Sequence, residues 1–114
     1  MPIYNMNQST FFTEGKLGPL ILRNRSIRAA AFEGMSEQHN VTEALVNYHT
    51  AVARGGVGMS TVAYAAVSKS GLSFPHQLWM RKEIAGDLKK LTDSVHREGA
   101  AVSVQIGHCG NMAN

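Results

Sequence analysis

A short polar segment near the end of the chain combines residue types that could bind a ligand. Gln105–Asn111 has the sequence Gln-Ile-Gly-His-Cys-Gly-Asn and overlaps an apolar run that predicts a strand, Ala100–Ile106. Ligands bind at the C-terminal ends of such strands in open α/β sheets and in barrels. The amide of Gln105 can donate and accept hydrogen bonds, which suits the edge of a planar heterocycle. The segment is therefore a candidate binding site, with a polar strand end and a turn as the alternative.

A glycine-rich segment in the middle of the chain resembles a phosphate-binding loop but lies in the wrong place for one. Arg54–Gly58 has the sequence Arg-Gly-Gly-Val-Gly and follows a predicted helix. A phosphate cradle lies instead between a strand and the following helix, where the helix N–H groups point at the anion. We therefore interpret Gly55 and Gly56 as a helix C-cap and a tight turn into the next strand.

The histidines and the single cysteine do not predict a metal site. No histidine forms a ligand pair at helical spacing with another histidine or with Cys109, and the adjacent His108 and Cys109 lack a further ligand in the sequence. Two histidines fall in predicted helices, where we expect partly exposed surface positions: His49 and His96.

Two helices and three strands are predicted to position these residues. Thr42–Arg54 is predicted as a helix, because Thr42 is a good N-cap and the residues after it repeat at helical spacing. A second helix follows from the stripe Ile84, Leu88, Leu91 and Val95. Strands are predicted at about residues 26–31, 57–67 and 100–106, with a long loop over 68–79 and an irregular N-terminal arm over residues 1–25.

The alternation of strand and helix predicts an α/β protein with a parallel sheet and right-handed crossovers. The spacing of the strands fits a (β/α) barrel or a doubly wound sheet. Three parallel strands with two helices would leave one sheet face and both edges uncovered. We therefore expect the first part of a larger fold, with two alternatives. One is a self-sufficient domain that uses the arm as a lid, and the other is a non-catalytic interaction module completed by self-association or a partner chain.

Composition argues against several classes of protein. The net charge is only +3 and the basic residues are scattered, which does not predict a nucleic-acid binder. The chain has neither a leader-like start nor an apolar run of the ~20 residues that span a bilayer. A single cysteine fits a reducing compartment. We therefore expect a cytoplasmic protein without a membrane partner.

Several segments occur in an order and at a spacing that are informative together. They are Leu17-Gly18, Leu22, Asn24-Arg25, the strand ending in Ala-Ala, Tyr48–Gly58, Val67–Gly71, Val95–Ala100 and Gln105–Gly110. Together these segments resemble the N-terminal part of the old yellow enzyme family, whose members are NADH:flavin oxidoreductases built as FMN-bearing (β/α)8 barrels. The resemblance extends from about Phe11 to Asn111 and suggests a divergent branch of the family.

The resemblance implies a fold and an activity. The chain would supply the first three strands of an incomplete TIM (β/α)8 barrel, with the arm as a hairpin that covers the barrel bottom. Family members bind FMN at the mouth, take hydride from NADH or NADPH and pass it to an electron-poor alkene or a related acceptor. The family's catalytic residues come from later strands, so none is expected here. We expect the isolated chain to be inactive, with weak or absent FMN affinity.

The resemblance also implies cofactor-binding residues. Gln105 matches the glutamine that binds the flavin pyrimidine edge. Ala30, Ala31 and Phe32 stand where the family commonly has Pro-Met-Thr or Pro-Met-Cys at the end of the first strand. In the family, a glutamate after the second strand is commonly followed by an alanine, and Tyr64 stands at about the position of that alanine. His108 is a further candidate, because it matches the family's His-x-Gly-Arg motif, in which Asn111 replaces the arginine.

Overall fold

A parallel sheet centred on one long strand organises the chain. The structure, a computed structural model, describes residues 9–113. A short antiparallel hairpin precedes the sheet, and two helices cover one face of it. The elements are β1 (Gly15–Leu17), β2 (Leu20–Leu22), β3 (Ile27–Arg28), α1 (Glu43–Arg54), β4 (Met59–Ala66), β5 (Leu78–Trp79), α2 (Ala85–Arg97) and β6 (Ala101–Gly107).

Helix α1 begins and ends where the sequence predicts. The Thr42 hydroxyl accepts a hydrogen bond from the Leu45 N–H at 3.2 Å, which satisfies one of the free donors of the first turn. At the other end, the Gly55 N–H donates to the Ala51 carbonyl, and Gly56 has a φ of +110°, which favours glycine. The glycine-rich segment therefore ends a helix and turns into β4.

Helix α2 packs on the sheet through most of its predicted stripe. Leu91 and Val95 are fully buried, and Ile84 is buried in a short 3-10 turn just before the helix. Leu88 is only partly buried, because it lies at the edge of a shallow cleft between α2 and β6. In the part of the chain that the structure describes, neither helix is long and apolar enough to cross a membrane.

Strand β4 lies at the centre of the sheet and is buried along most of its length. One of its edges pairs in parallel with β6, from Met59 opposite Ala101 to Ala66 opposite Gly107. The register shifts between Val62 and Ala65, and the peptide bond between Ala63 and Tyr64, inside this interval, is cis. The opposite edge of β4 pairs with β3 near its start and with β5 near its end.

The structure differs from the predicted elements in two places. The strand predicted over residues 26–31 pairs with β4 only at Ile27 and Arg28. Beyond these residues the Arg28 guanidinium lies between the two chain segments and donates to the carbonyls of Thr61 and Ala31. The long loop predicted over residues 68–79 contains a 3-10 turn, Lys69–Gly71, and ends in β5. Two residues are too few to show a strand periodicity, so β5 left no signal in the sequence.

The sheet does not close into a barrel within the described residues. Strand β6 was predicted to be buried, but its residues are half-buried or exposed, and Ile106 is 57% exposed. The face of the sheet opposite the helices is also open, because Ile27 on that face is 48% exposed. Parallel strands normally have both faces covered. The chain thus folds as an α/β unit with an open parallel sheet, one face of which is covered by helices.

Arg23 joins the end of the N-terminal hairpin to the start of the sheet. Its guanidinium donates to the carbonyls of Ala53 at 2.5 Å, Val57 at 3.1 Å and Glu98 at 2.7 Å. These carbonyls lie where the chain leaves α1 and α2 to enter β4 and β6. One side chain therefore satisfies backbone acceptors at both helix-to-strand connections.

Gly58 lies at the tightest backbone approach in this region and generates a stability prediction. A Cβ at Gly58 would lie 2.6 Å from the Asn24 carbonyl oxygen and 2.8 Å from that of Ser26. We expect Gly58→Ala to lower the free energy of unfolding by about 1–3 kcal/mol, because both obstacles are backbone atoms. Urea unfolding followed by circular dichroism measures this.

Gly86 provides the matched control, because a Cβ there would meet no atom within 4 Å. Gly86→Ala in α2 should leave the stability unchanged or raise it by up to about 1 kcal/mol. Equal effects of the two substitutions would contradict the close approach at Gly58.

Candidate functional site

Gln105 faces away from the helices at the open end of the sheet. The Ser60 hydroxyl contacts His49 of α1, so Thr61, the next residue of β4, points to the opposite face. Thr61 pairs with Ser103 of β6, and their hydroxyls lie 3.0 Å apart. Gln105 follows Ser103 by two residues and shares its face. Its side chain is exposed and has no hydrogen-bond partner among residues 9–113.

Two open cavities meet at this end of the sheet. A cavity of about 270 Å³ is lined by Tyr64 and by the consecutive residues Gln105–Cys109. A second, of about 550 Å³, is lined by Tyr64, Ser73, Phe74, Cys109 and Met112. The cavities share Tyr64 and Cys109. Together they place an exposed amide beside aromatic side chains, which is the combination found in sites for small organic ligands.

Two aromatic rings, Tyr64 and Phe74, line these cavities, and a third ring, Phe32, packs against both of them. The ring centroids of Phe32 and Tyr64 lie 5.1 Å apart, and those of Phe32 and Phe74 lie 4.9 Å apart in a stacked arrangement. Phe32 is 39% exposed and Phe74 is 46% exposed. The three rings come from the loop after β3, from β4 and from the loop before β5. The fold therefore brings Phe32 and Tyr64, two of the predicted site residues, into contact.

Ala30 and Ala31 lie between β3 and Phe32, and both are exposed. The Ala31 carbonyl accepts a hydrogen bond from Arg28 at 3.1 Å, which fixes the local path of the chain. Neither alanine has a side chain that could bind a ligand by polar contacts. They contribute space at the open end of the sheet.

His108 packs against the loop that follows β4. Its Nδ1 accepts from the Gly110 N–H at 3.0 Å, so in the neutral ring Nε2 carries the proton and donates to the Ser70 hydroxyl at 3.2 Å. Gly71 provides the space for this ring, and the Cys109 N–H donates to the Gly71 carbonyl. His108 thus holds the end of β6 against a neighbouring loop. Among residues 9–113, no three potential metal-ligating side chains come together.

A buried hydrogen-bonded chain behind the aromatic rings is a feature that the sequence analysis missed. His49 was predicted to be partly exposed, but it is fully buried. Its Nε2 lies 2.6 Å from a Glu33 carboxylate oxygen, and its Nδ1 lies 2.7 Å from the Ser60 hydroxyl. The prediction was wrong because His49 lies four residues after the buried Leu45, on the inner stripe of α1, and finds polar partners there.

Arg28 supplies positive charge near this carboxylate. Its guanidinium lies 3.8 Å from the Glu33 carboxylate, donates to the Tyr48 hydroxyl at 3.2 Å and lies over the Tyr48 ring. Glu33 has a side chain that is only 1% exposed. A carboxylate so far from water is stable only with several donors around it. The signal available in the sequence was a single acidic residue within an otherwise uncharged stretch, residues 29–35, that follows β3.

Comparison with known proteins identifies the class. A model of the NADH:flavin oxidoreductase / NADH oxidase family matches residues 10–114. The chain belongs to this family, whose members are flavin-dependent NAD(P)H oxidoreductases. This confirms the resemblance to the old yellow enzyme family.

Individual relatives match only a part of their own length. The chain is 48% identical over 105 residues to a 4,4'-dithiodibutanoate disulfide reductase of Rhodococcus erythropolis, covering 92% of this chain and 26% of that protein. It is 34% identical over 105 residues to an NADH oxidase of Thermoanaerobacter brockii, covering 89% of this chain and 16% of the relative. The chain thus spans about a quarter or less of these two relatives.

Solved structures give the same result for the fold. A 2-naphthoyl-CoA reductase in complex with 2-naphthoyl-CoA superimposes with a TM-score of 0.87 at 25% identity, over 92% of this chain and 16% of that one. An old yellow enzyme from a Pichia species gives a TM-score of 0.87 at 17% identity, over 96% of this chain and 29% of that one. The fold is therefore that of part of a TIM barrel.

The contact between Gly71 and His108 generates a prediction for the site. A Cβ at Gly71 would lie 2.8 Å from the His108 Cδ2. We expect Gly71→Ala to displace the imidazole and break its contact with Ser70, and imidazole ¹⁵N and ¹H chemical shifts measure the displacement. Gly107→Ala is the control, because a Cβ there would meet no atom within 4 Å. Unchanged His108 shifts in Gly71→Ala would contradict the packing described.

Proposed function

We propose that this chain is the N-terminal, flavin-binding part of an FMN-dependent NAD(P)H oxidoreductase of the old yellow enzyme type. The carrying observation is the Gln105 amide, which is exposed at the C-terminal end of a parallel strand and has no partner among the described residues. The family membership of the chain supports the same proposal. In this reading the open inner face of the sheet is the wall of a barrel whose further strands are not among the described residues 9–113.

The residues at the strand ends fit a flavin. The pyrimidine edge of an isoalloxazine alternates carbonyl acceptors with an N–H donor, and an amide matches both because it donates and accepts. A methyl group on Gly107 would meet no atom within 4 Å, so a planar ring has room beside the strand. Ala30 and Ala31 are small and exposed, which leaves space on the neighbouring strand end.

Each residue of the site has a distinct role in this proposal. When bound, FMN supplies the hydride transfer from NADH or NADPH to the acceptor. Gln105 binds and orients the flavin edge. Tyr64 lines the cavity and excludes water from one side of it, and Phe32 supports the Tyr64 ring from behind. His108 holds the end of β6, and with it the Gln105 backbone, against the loop after β4.

The acceptor is an electron-poor alkene or a related small molecule. The Rhodococcus relative is named for the reduction of an organic disulfide, 4,4'-dithiodibutanoate, so this disulfide belongs in the same panel of acceptors. The aromatic border of the larger cavity suits acceptors with an apolar body. Steady-state oxidation of NADH or NADPH, with an enone and with the disulfide, separates these acceptor classes and the two donors.

Two further aspects belong to the proposal. Of the arm predicted over residues 1–25, residues 1–8 lie outside the described part of the chain. The rest of the arm would cover the bottom of the barrel, which the Arg23 contacts at both helix-to-strand connections support. Residues 26–114 would form the partial barrel. We place the protein in the cytoplasm, because a single cysteine suits a reducing compartment.

A second candidate function follows from the open sheet. Ile27 and Ile106 are about half exposed, and β6 leaves one edge unpaired among residues 9–113. A non-catalytic module would cover these surfaces with a second copy of the chain or with a partner chain. Sedimentation of the 114-residue chain at several concentrations tests this function. A monomer at all concentrations, with cooperative unfolding, would count against it.

The 114-residue chain on its own is expected to bind FMN weakly and to show no turnover. It contributes only one side of a cofactor cavity, and the phosphate site of such barrels typically lies after the seventh and eighth strands. Retained flavin is measured by the absorbance of the purified chain at roughly 350–500 nm, where the flavin absorbs. Stoichiometric flavin in the isolated chain would contradict this expectation.

Gln105→Ala tests the flavin contact in a complete barrel. A suitable protein is a chimera in which residues 10–114 replace the matching segment of the Rhodococcus reductase. We expect FMN to bind more weakly by about 1–3 kcal/mol, roughly 5- to 150-fold in the dissociation constant, because polar groups at the flavin edge lose their partner. Asn47→Ala, on the exposed surface of α1, is the control. Unchanged FMN affinity in Gln105→Ala would exclude this role.

A further inference from the structure

The buried chain of Ser60, His49 and Glu33 ends on a backbone N–H. Both carboxylate oxygens of Glu33 accept from the Ala63 N–H, at 3.1 and 3.0 Å. This N–H lies inside the register shift between Val62 and Ala65, where β4 and β6 lose their paired residues. A buried N–H needs an acceptor, and the Glu33 carboxylate supplies it.

The same two residues also contact each other in the reverse direction. The Glu33 N–H donates to the Ala63 carbonyl at 3.4 Å, while the Ala63 N–H donates to the Glu33 side chain. We call this reciprocal pair of hydrogen bonds the Glu33–Ala63 clamp. The clamp fixes how far the loop after β3 lies from β4.

His49 keeps the Glu33 carboxylate in place. Because the carboxylate is an acceptor, His49 donates through Nε2, and in the neutral ring its Nδ1 accepts from the Ser60 hydroxyl. Ser60 and His49 are both fully buried, so no substrate can reach the hydroxyl. The serine, histidine and glutamate therefore do not form a nucleophilic site. They join α1 to β4 and hold a carboxylate.

The neighbours of the clamp are Tyr64, which lines both cavities, and Phe32, which packs against the Tyr64 ring. Phe32 directly precedes Glu33, and Tyr64 directly follows Ala63. Their ring centroids lie 5.1 Å apart, and Phe74 stacks on Phe32. Both rings are at the open end of the sheet, whereas the clamp lies in the interior behind them. A change in the clamp thus changes the relative position of the two rings.

We propose that Glu33 is a positioning residue that sets the separation of the Phe32 and Tyr64 rings, and hence the shape of the flavin and acceptor cavity. Glu33 itself touches neither ring's outer face nor the cavity. It acts through the Ala63 N–H. The consequence for ligand binding rests on the proposed function, whereas the consequence for the rings does not.

Three substitutions separate the length of the side chain from its charge. Glu33→Gln keeps the length and an acceptor for the Ala63 N–H, and the other tautomer of His49 can accept from the new amide. Glu33→Asp keeps the charge but is one methylene shorter. Glu33→Ala removes the acceptor. A clamp predicts that Gln replaces Glu better than Asp does, whereas a purely ionic role predicts the reverse.

The first measurement is the ring geometry in crystals of the ligand-free chimera defined above. We expect Glu33→Gln to keep the ring separation near 5.1 Å. In Glu33→Ala and Glu33→Asp we expect the rings to move apart by about 1 Å or more, a displacement large enough to affect a binding site. Unmoved rings in Glu33→Ala would overturn the proposal.

The second measurement is the dissociation constant of FMN for the same variants. We expect a rise of about tenfold in Glu33→Ala and Glu33→Asp, and of less than about threefold in Glu33→Gln. Leu45→Ala is the control for lost stability, because Leu45 is buried in α1 but makes no contact in the clamp. A loss of FMN affinity in Leu45→Ala equal to that in Glu33→Ala would assign Glu33 a purely structural role.

The two proposals fail in different ways. If the unsubstituted chimera binds no FMN, the proposed function fails, while the ring geometry still tests the clamp. If the chimera binds FMN and the Glu33 variants leave both the rings and the affinity unchanged, only the positioning role is excluded.

Discussion

The burial of one carboxylate constrains the whole open end of the sheet. Glu33 is held by His49, by the Ala63 N–H and by the nearby charge of Arg28, and each of these groups belongs to a different element. A carboxylate removed from water destabilises the fold unless all its acceptor sites find donors. The loop after β3, the middle of α1 and the irregular part of β4 can therefore only be placed together. The aromatic rings and the cavity follow from that placement.

The local parts of the fold could be predicted because their causes are local. Thr42 caps α1, Gly55 and Gly56 end it, and the apolar residues of β4 indicate a strand buried on both faces. Strand β5 was not predicted, because two residues carry no periodicity. The predicted end of β3 was too far along the chain. The point at which β3 separates from β4 depends on the acceptors of the Arg28 guanidinium, and one of them lies 33 positions further along the chain.

The candidate site likewise has parts that could be predicted from the sequence and parts that could not. The strand-end position of Gln105 follows from sequence pattern, and its exposed amide lies where the pattern places it. The contact between Phe32 and Tyr64 could not be derived, because the two rings are brought together by the Glu33–Ala63 clamp across 30 residues of chain. His49 shows the limit of residue type as a guide. A histidine on a helix is usually a surface residue, but hydrogen bonds to a serine and a glutamate stabilise His49 in the interior.

The three carbonyl contacts of Arg23 have a consequence for how such a protein can diversify. They lie where the chain leaves the helices, at the end of the sheet opposite Gln105 and the rings. Under the proposed function, anchorage and ligand recognition lie at opposite ends of the same strands. Substitutions among the proposed recognition residues would then leave the anchor intact, so one scaffold could serve different electron acceptors.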